Sequence, residues 1–188
     1  MIKPRTIYGI MTTGGVIGAI AAFLQTTEKI QLLKNKDAIL ACDLGSIFSC
    51  SDVLSAWQSS VFGFPNSLMC MTLFTIFAAT ALVGLSGGVL PKKLRLSIHA
   101  LSLFTLGFAL WFLTQSIYVI NALCILCIFC FVGLLLVNWS WLRLNAADLP
   151  IGERGRALIK RLVARDIDTL AWILLTLAMA LAMFTRFY

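Results

Sequence analysis

The residues of this chain best suited to chemistry are its cysteines: Cys42, Cys50, Cys70, Cys124, Cys127 and Cys130. Gly45, Ser46 and Ser49 lie between Cys42 and Cys50. Such a composition turns the chain and lets the two sulfurs meet. Cys124 and Cys127 form a CxxC pair at the predicted start of a helix. One helical turn puts their α-carbons about 5 Å apart, within disulfide range. A helix amino terminus stabilises a thiolate through its free N–H groups and dipole, and the thiolate is the nucleophile in disulfide exchange. Taken singly, the first pair also fits a staple in a loop, and the second fits small apolar side chains in a bundle. Two pairs on one side of a membrane suit a relay. Cys130, one turn further along, and Cys70 read as packing residues. CxxC pairs also bind zinc, but the chain has one histidine, His99, and no carboxylate within its apolar runs, so no metal site is predicted.

The cysteines sit in a chain that is 60% hydrophobic and 12% charged, with a mean hydropathy of +0.95. Soluble domains carry roughly twice that charge. Residues 6–27, 53–91, 96–142 and 169–185 hold no charged side chain. A bilayer span needs about 20 apolar residues, so the first and last runs give one span each and the third gives two. In the second run Gly63 and Pro65 break the first part, which reads as an interfacial piece before a span over about 67–90. The fold class predicted is an all-α membrane protein: a four-helix transmembrane bundle plus a fifth transmembrane helix, with an outer loop and a short interfacial helix at 53–62. Residues 1–145 form the predicted catalytic membrane domain, 146–168 a basic connector broken by Pro150 and Gly152, and 169–188 the fifth span. Lys3 and Arg5 before an apolar run also suit a signal peptide. The length of the run, with Gly14, Gly15 and Gly18 for close helix packing, favours a span.

Charge sets the expected orientation. With the amino terminus cytoplasmic, eleven of the fifteen Lys and Arg residues fall inside, and Lys29, Lys34, Lys36 and Arg186 fall outside. Tyr188 is then outside, and so are Cys42, Cys50 and the start of the CxxC helix. The net charge of +7 is read as a topogenic signal, with no nucleic-acid partner. The basic stretch 154–165 is expected to form a helix that lies on anionic headgroups.

The run CDLGSIFSCSDVL, then WQSSVFGFPNS, then CILC at a later helix start resembles the vitamin K epoxide reductase family. Within that family it looks like the bacterial members that oxidise disulfide-forming proteins at the expense of a quinone. The resemblance covers roughly 6–142. It implies a loop pair at Cys42 and Cys50, a quinone-facing pair at Cys124 and Cys127, and quinone contacts at Asn66, Phe131 and Trp57. Two positions depart from the family pattern. Ala56, beside Ser55, stands where a Ser or Thr is usual, and Phe131 stands where vertebrate relatives have a tyrosine. Many bacterial relatives carry a fused thioredoxin domain, and the end of the chain at Tyr188 implies that the thiol partner is a separate extracytoplasmic thioredoxin-fold protein.

The function expected is a thiol–disulfide oxidoreductase of the bacterial inner membrane. It reoxidises that partner and passes electrons through Cys42/Cys50 and Cys124/Cys127 to a membrane quinone, menaquinone or ubiquinone. Cys50 is the loop thiol expected to attack Cys124. Reduction of vitamin K epoxide, and a structural or metal-carrying membrane subunit, are the alternatives.

Overall fold

The computed structural model describes residues 2–35, 38–45 and 47–187. The outer charge expected at Lys36 and the outer position expected for Tyr188 lie outside these residues. Helix α1 (Pro4–Lys34) starts with a proline at its first position, where no N–H partner is lost. Its 31 residues span about 46 Å, longer than a hydrocarbon core of about 30 Å. Tilt or turns that project beyond the core take up the excess. After the cysteine loop come α2 (Cys50–Ser55) and a 3-10 turn (Trp57–Ser60). Then follow α3 (Asn66–Leu85), α4 (Lys92–Gln115) with a π-helical turn (Ser116–Ile120), α5 (Ile125–Asn145), α6 (Glu153–Ala164) and α7 (Ile167–Phe187). Helices α1, α3, α4 with its π turn, α5 and α7 are long and apolar enough to cross a bilayer. The protein is an all-α, multi-pass membrane protein, as its sequence predicts.

Two segments differ from expectation. Helix α3 stops at Leu85 and not near residue 90. Gly87 takes φ +88, and the Gly88 N–H turns back onto the Val83 carbonyl at 2.8 Å. A left-handed glycine is the usual way to end a helix. The 53–62 piece is two short helical turns, and Val53, Leu54, Gln58 and Ser59 are buried against the bundle. The basic stretch forms the expected helix, α6, which buries none of its residues, and Asp166, two residues beyond its end, takes φ +56.

Helix α1 is the centre of the packing, held between α3 and α5. Side chains are missing where the backbones meet. A Cβ on Gly14 would lie 2.8 Å from the Gly133 carbonyl, and one on Gly133 would lie 2.7 Å from the Gly14 carbonyl. On the α3 side, a Cβ on Gly18 would enter the Phe74 ring. In lipid, helices associate through such close contacts because the tails are as apolar as the side chains.

Helix α4 closes the bundle on α5. At the end opposite the cysteines, Ser102 Oγ donates to Asn138 Oδ1 at 2.9 Å. Asn145 Nδ2 lies 3.3 Å from a ring nitrogen of His99, which stacks on Trp141. His99 thus packs far along α4 from the cysteines. The turn after α5 is tied to the start of α4 through Asp148, which pairs with Lys92 at 3.1 Å and with Arg95. Lys92 beside it holds the Asp148 carboxyl below the usual carboxylate range.

Helix α7 is peripheral. Among its residues only Asp168 is buried. That carboxylate takes a two-pronged hydrogen bond from Arg143 of α5, Nε and an η nitrogen each at 2.7 Å. Arg143 also lies over the Trp139 ring, 4.6 Å from its centroid. A four-helix core with one tethered helix results.

The glycine contacts give a direct test. Gly14→Ala forces α1 away from a backbone carbonyl that cannot rotate aside, and is expected to cost about 1–3 kcal/mol. Gly107, with nothing within 4 Å of its added Cβ, should accept alanine with no loss or a gain of up to about 1 kcal/mol. Thermal unfolding in one detergent should lower Tm for the first and not for the second.

Candidate functional site

The loop between α1 and α2 is built by short-range bonds. Cys42 and Cys50 are joined by a disulfide, with α-carbons 5.7 Å apart. Asp43, next to Cys42, accepts hydrogen bonds from Ser51, next to Cys50. The Ser51 N–H lies 3.0 Å from Oδ1, and the Ser51 hydroxyl bonds the other oxygen. The Leu40 N–H adds a third at 3.2 Å. Burial pushes the Asp43 carboxyl up, but the Ser51 side chain and the backbone amides of Ser51, Leu40 and Cys50 outweigh it and hold the group below its ordinary range. Its stabilisation is present above that ordinary range and is lost as pH falls through the lowered value. Ser49 caps α2 by accepting the Asp52 N–H at 3.2 Å.

Two backbone contacts then fix this loop against α5. The Leu123 N–H donates to the Ile47 carbonyl at 2.8 Å, and Phe48 pairs with Leu123 in a parallel bridge. Asn121, φ +58, ends the π turn, and the Ser116 hydroxyl bonds the Ala122 carbonyl. The chain therefore enters α5 at a fixed angle, with Cys124 as its N-cap. The Cys124 sulfur accepts the Cys127 N–H at 3.4 Å. This register sets Cys50 Sγ 3.5 Å from Cys124 Sγ, and both residues are buried. Cys127 sits one turn deeper. Gln25 of α1 donates its Nε2 to the Cys127 sulfur at 3.1 Å and lies 3.9 Å from the Cys124 sulfur.

Beside Cys127 opens a cavity between α1, α3, α4 and α5. Its apolar wall includes Phe108, Phe112, Phe131 and Leu134, and its polar wall Gln25, Lys29, Ser59 and Asn66. Asn66 Nδ2 donates to the Gln58 carbonyl at 2.7 Å, while its Oδ1 is buried without a partner. A mainly apolar cavity with aromatic walls, a buried orphan acceptor and a thiol on its wall suits a quinone head, whose reduced form carries hydroxyl donors. Cys70 and Cys130, read from the sequence as packing residues, both line this cavity, and Cys130 also contacts the Gly18 carbonyl. Among the described residues no group of three metal-ligating side chains occurs.

The structure thus gathers Cys42, Cys50, Cys124, Cys127, Asn66 and Phe131 along one line from loop to cavity. Trp57 does not line it. That side chain is 68% exposed and tilts against Trp111, ring centroids 6.4 Å apart, in an aromatic patch with Phe108 and Phe62. Such a patch suits the membrane interface. Two side chains escaped sequence reasoning. Gln25 stands inside an otherwise apolar run, and its polarity there was the available signal. Lys29, counted among the outer charges, is 8% exposed because α1 carries it into the bundle wall.

Residues 9–141 match the model of the Vitamin K epoxide reductase family. The match takes in nearly all of α1 to α5 and both cysteine pairs, and stops before α6 and α7. No curated protein matches the chain.

Gln25→Leu removes the one side-chain N–H at 3.1 Å from the Cys127 sulfur. A hydrogen bond to a charged group contributes about 1.5–3 kcal/mol. Alkylation of Cys127 at neutral pH, followed by mass spectrometry, should slow about tenfold or more. Asp43→Asn removes the charge-assisted clamp, and exchange of the Ser51 amide should accelerate about tenfold. Below the lowered carboxyl range the two proteins should exchange alike.

Proposed function

The chain belongs to the vitamin K epoxide reductase family, and on that premise we propose that it reoxidises an extracytoplasmic thioredoxin-fold thiol protein and delivers the electrons to a membrane quinone. Family and helices together make it a multi-pass membrane oxidoreductase. The finer reading rests on one observation: Cys50 Sγ is 3.5 Å from Cys124 Sγ, while Cys127 lines the cavity.

The donor's two thiols reduce Cys42–Cys50 and leave as a disulfide. The Cys50 thiolate attacks Cys124 of an oxidised Cys124–Cys127 pair. A Cys50–Cys124 bond forms and Cys127 leaves as thiolate, held by the Gln25 N–H. The Cys42 thiolate then attacks Cys50, which restores the loop disulfide and frees Cys124. The two sulfurs of the CxxC pair now hold two electrons and two protons, the arrangement described above with the loop bonded and Cys124 and Cys127 free. A bound quinone, menaquinone or ubiquinone, supplies the sink for both. Asn66 and Phe131 hold the ring against Cys127, and the Cys124–Cys127 bond re-forms. Burial of Cys124 keeps outside thiols away from the inner exchange. The catalytic core is 1–145, and the α6–α7 unit is an accessory anchored by Arg143. In this reading the amino terminus is cytoplasmic, in the bacterial inner membrane, and the cysteine loop is extracytoplasmic.

Purified protein with a reduced thiol donor should reduce a soluble quinone, and Cys127→Ser should abolish this. Cys42→Ser removes the thiol that resolves Cys50, so a Cys50–Cys124 bond should accumulate in non-reducing peptide maps. A Cys42–Cys124 bond in Cys50→Ser, with Cys50 free in Cys42→Ser, would exchange the roles of the loop cysteines. Absence of any loop-to-span bond would end the relay reading. Cys70→Ser and Cys130→Ser should keep turnover within a few-fold. Reporter fusions at Lys93 and Asp43 should fall in opposite compartments, and a shared compartment would remove the relay.

A further inference from the structure

We infer that Lys29 is a quinone-contacting residue, whose ammonium stabilises the negative charge that builds on a ring oxygen as Cys127 gives up its electrons. The inference rests on the quinone reading above and adds a residue to its site.

Donor accounting on the cavity wall leads there. The Ser59 hydroxyl donates to the Leu54 carbonyl at 2.6 Å, and Thr105 donates to the Leu101 carbonyl at 2.8 Å. The Ser67 hydroxyl accepts from Thr26 at 2.9 Å. Gln25 is turned to the cysteine sulfurs. These groups are engaged within the protein. Two nitrogen donors keep a hydrogen beyond their recorded bonds. Asn66 has two amide hydrogens, and one bond is recorded, to Gln58. The Lys29 ammonium has three, and two bonds are recorded, to the Leu54 carbonyl and to Ser59 Oγ at 3.0 Å. A quinone head has two ring oxygens, and the wall offers two such nitrogens.

Charge separates the two. Lys29 is the one charged side chain among the described residues that line the cavity. None of the recorded ion pairs involves it. Keeping an ammonium from water without a carboxylate is costly, and a purely structural tie to a carbonyl and a hydroxyl does not need the charge. A positive charge fixed in a dry site is worth most where negative charge develops during a reaction. Its position agrees. Lys29 is four residues beyond Gln25, so the two stand on one face of α1, one turn apart. Gln25 meets the sulfur that loses electrons, and Lys29 stands a turn further along the same wall. The balance closes without net change at Lys29. The thiols of Cys124 and Cys127 lose two electrons and two protons, the quinol gains both, and one S–S bond forms. Lys29 ends each cycle in the charge state in which it began.

The test uses the full chain in detergent micelles and two naphthoquinones of similar size. Menadione is neutral, whereas 2-hydroxy-1,4-naphthoquinone is an anion at neutral pH and imitates the charged oxygen. Binding is read by quenching of tryptophan fluorescence, without turnover. Wild type and Lys29→Arg should prefer the anion. Lys29→Met should lose about tenfold or more in affinity for the anion and less than about threefold for menadione. In single turnover, quinone reduction by pre-reduced Lys29→Met should fall about 100-fold, with loop-to-span exchange of the pre-oxidised protein unchanged. Equal weakening of both ligands, or no change in either, would overturn the assignment. Loss of the Cys42–Cys50 bond or of loop-to-span exchange in Lys29→Met would also overturn it, and make Lys29 an anchor for the loop. Wild type that binds neither naphthoquinone would sink the quinone reading itself.

Discussion

The whole site hangs on where the cysteine loop meets the first turn of α5. One backbone hydrogen bond, from Leu123 to the Ile47 carbonyl, and the Phe48–Leu123 bridge set that register. Side chains in an extended segment alternate in direction. A slip of one residue would turn Cys50 away from Cys124. With the register fixed, the sulfurs stand 3.5 Å apart, and exchange needs no large motion of the backbone. The Asp43–Ser51 clamp serves the same end from within the loop, because it ties together the residues that follow Cys42 and Cys50. Proximity of this kind converts an encounter into an internal step.

Helix α1 carries two demands along its length. Over its first half it must come close to α3 and α5, and glycines at 14, 15 and 18 remove the side chains that would prevent this. Further along it must present polar groups to sulfur and cavity, and Gln25, Thr26 and Lys29 are buried there. Close packing makes the second demand possible. Only a helix drawn tightly between two others can carry a lysine into a wall with so little exposure.

Helix α7 stands apart from these constraints. One face of it, with Trp172, Leu175, Met179 and Met183, packs half-buried against the core, and a buried arginine–carboxylate pair ties its first turn. A two-pronged pair is directional as well as strong, so it sets the angle at which α7 leaves the core. The family match ends before α6 and α7, in keeping with a core that holds both cysteine pairs without them.

The sequence by itself determined the class and much of the outline. Charge-free runs can only be stable as helices in lipid, where every backbone group must be paired within its own segment, and five helices follow. The two cysteine pairs were legible because disulfide chemistry depends on residue type and short spacing. The end of α3 was misjudged by some five residues, since hydropathy continues through Val89 and Leu90 while Gly87 ends the helix. Tertiary structure decided the rest. It decided which loop sulfur meets which span sulfur, because that distance joins residues 74 positions apart. It drew Cys70 and Cys130 to the cavity wall and left Trp57 outside it. It turned Lys29 from an outer charge into a wall residue. A charge read from sequence has only a side of the membrane, and its surroundings exist only once three helices have packed around it.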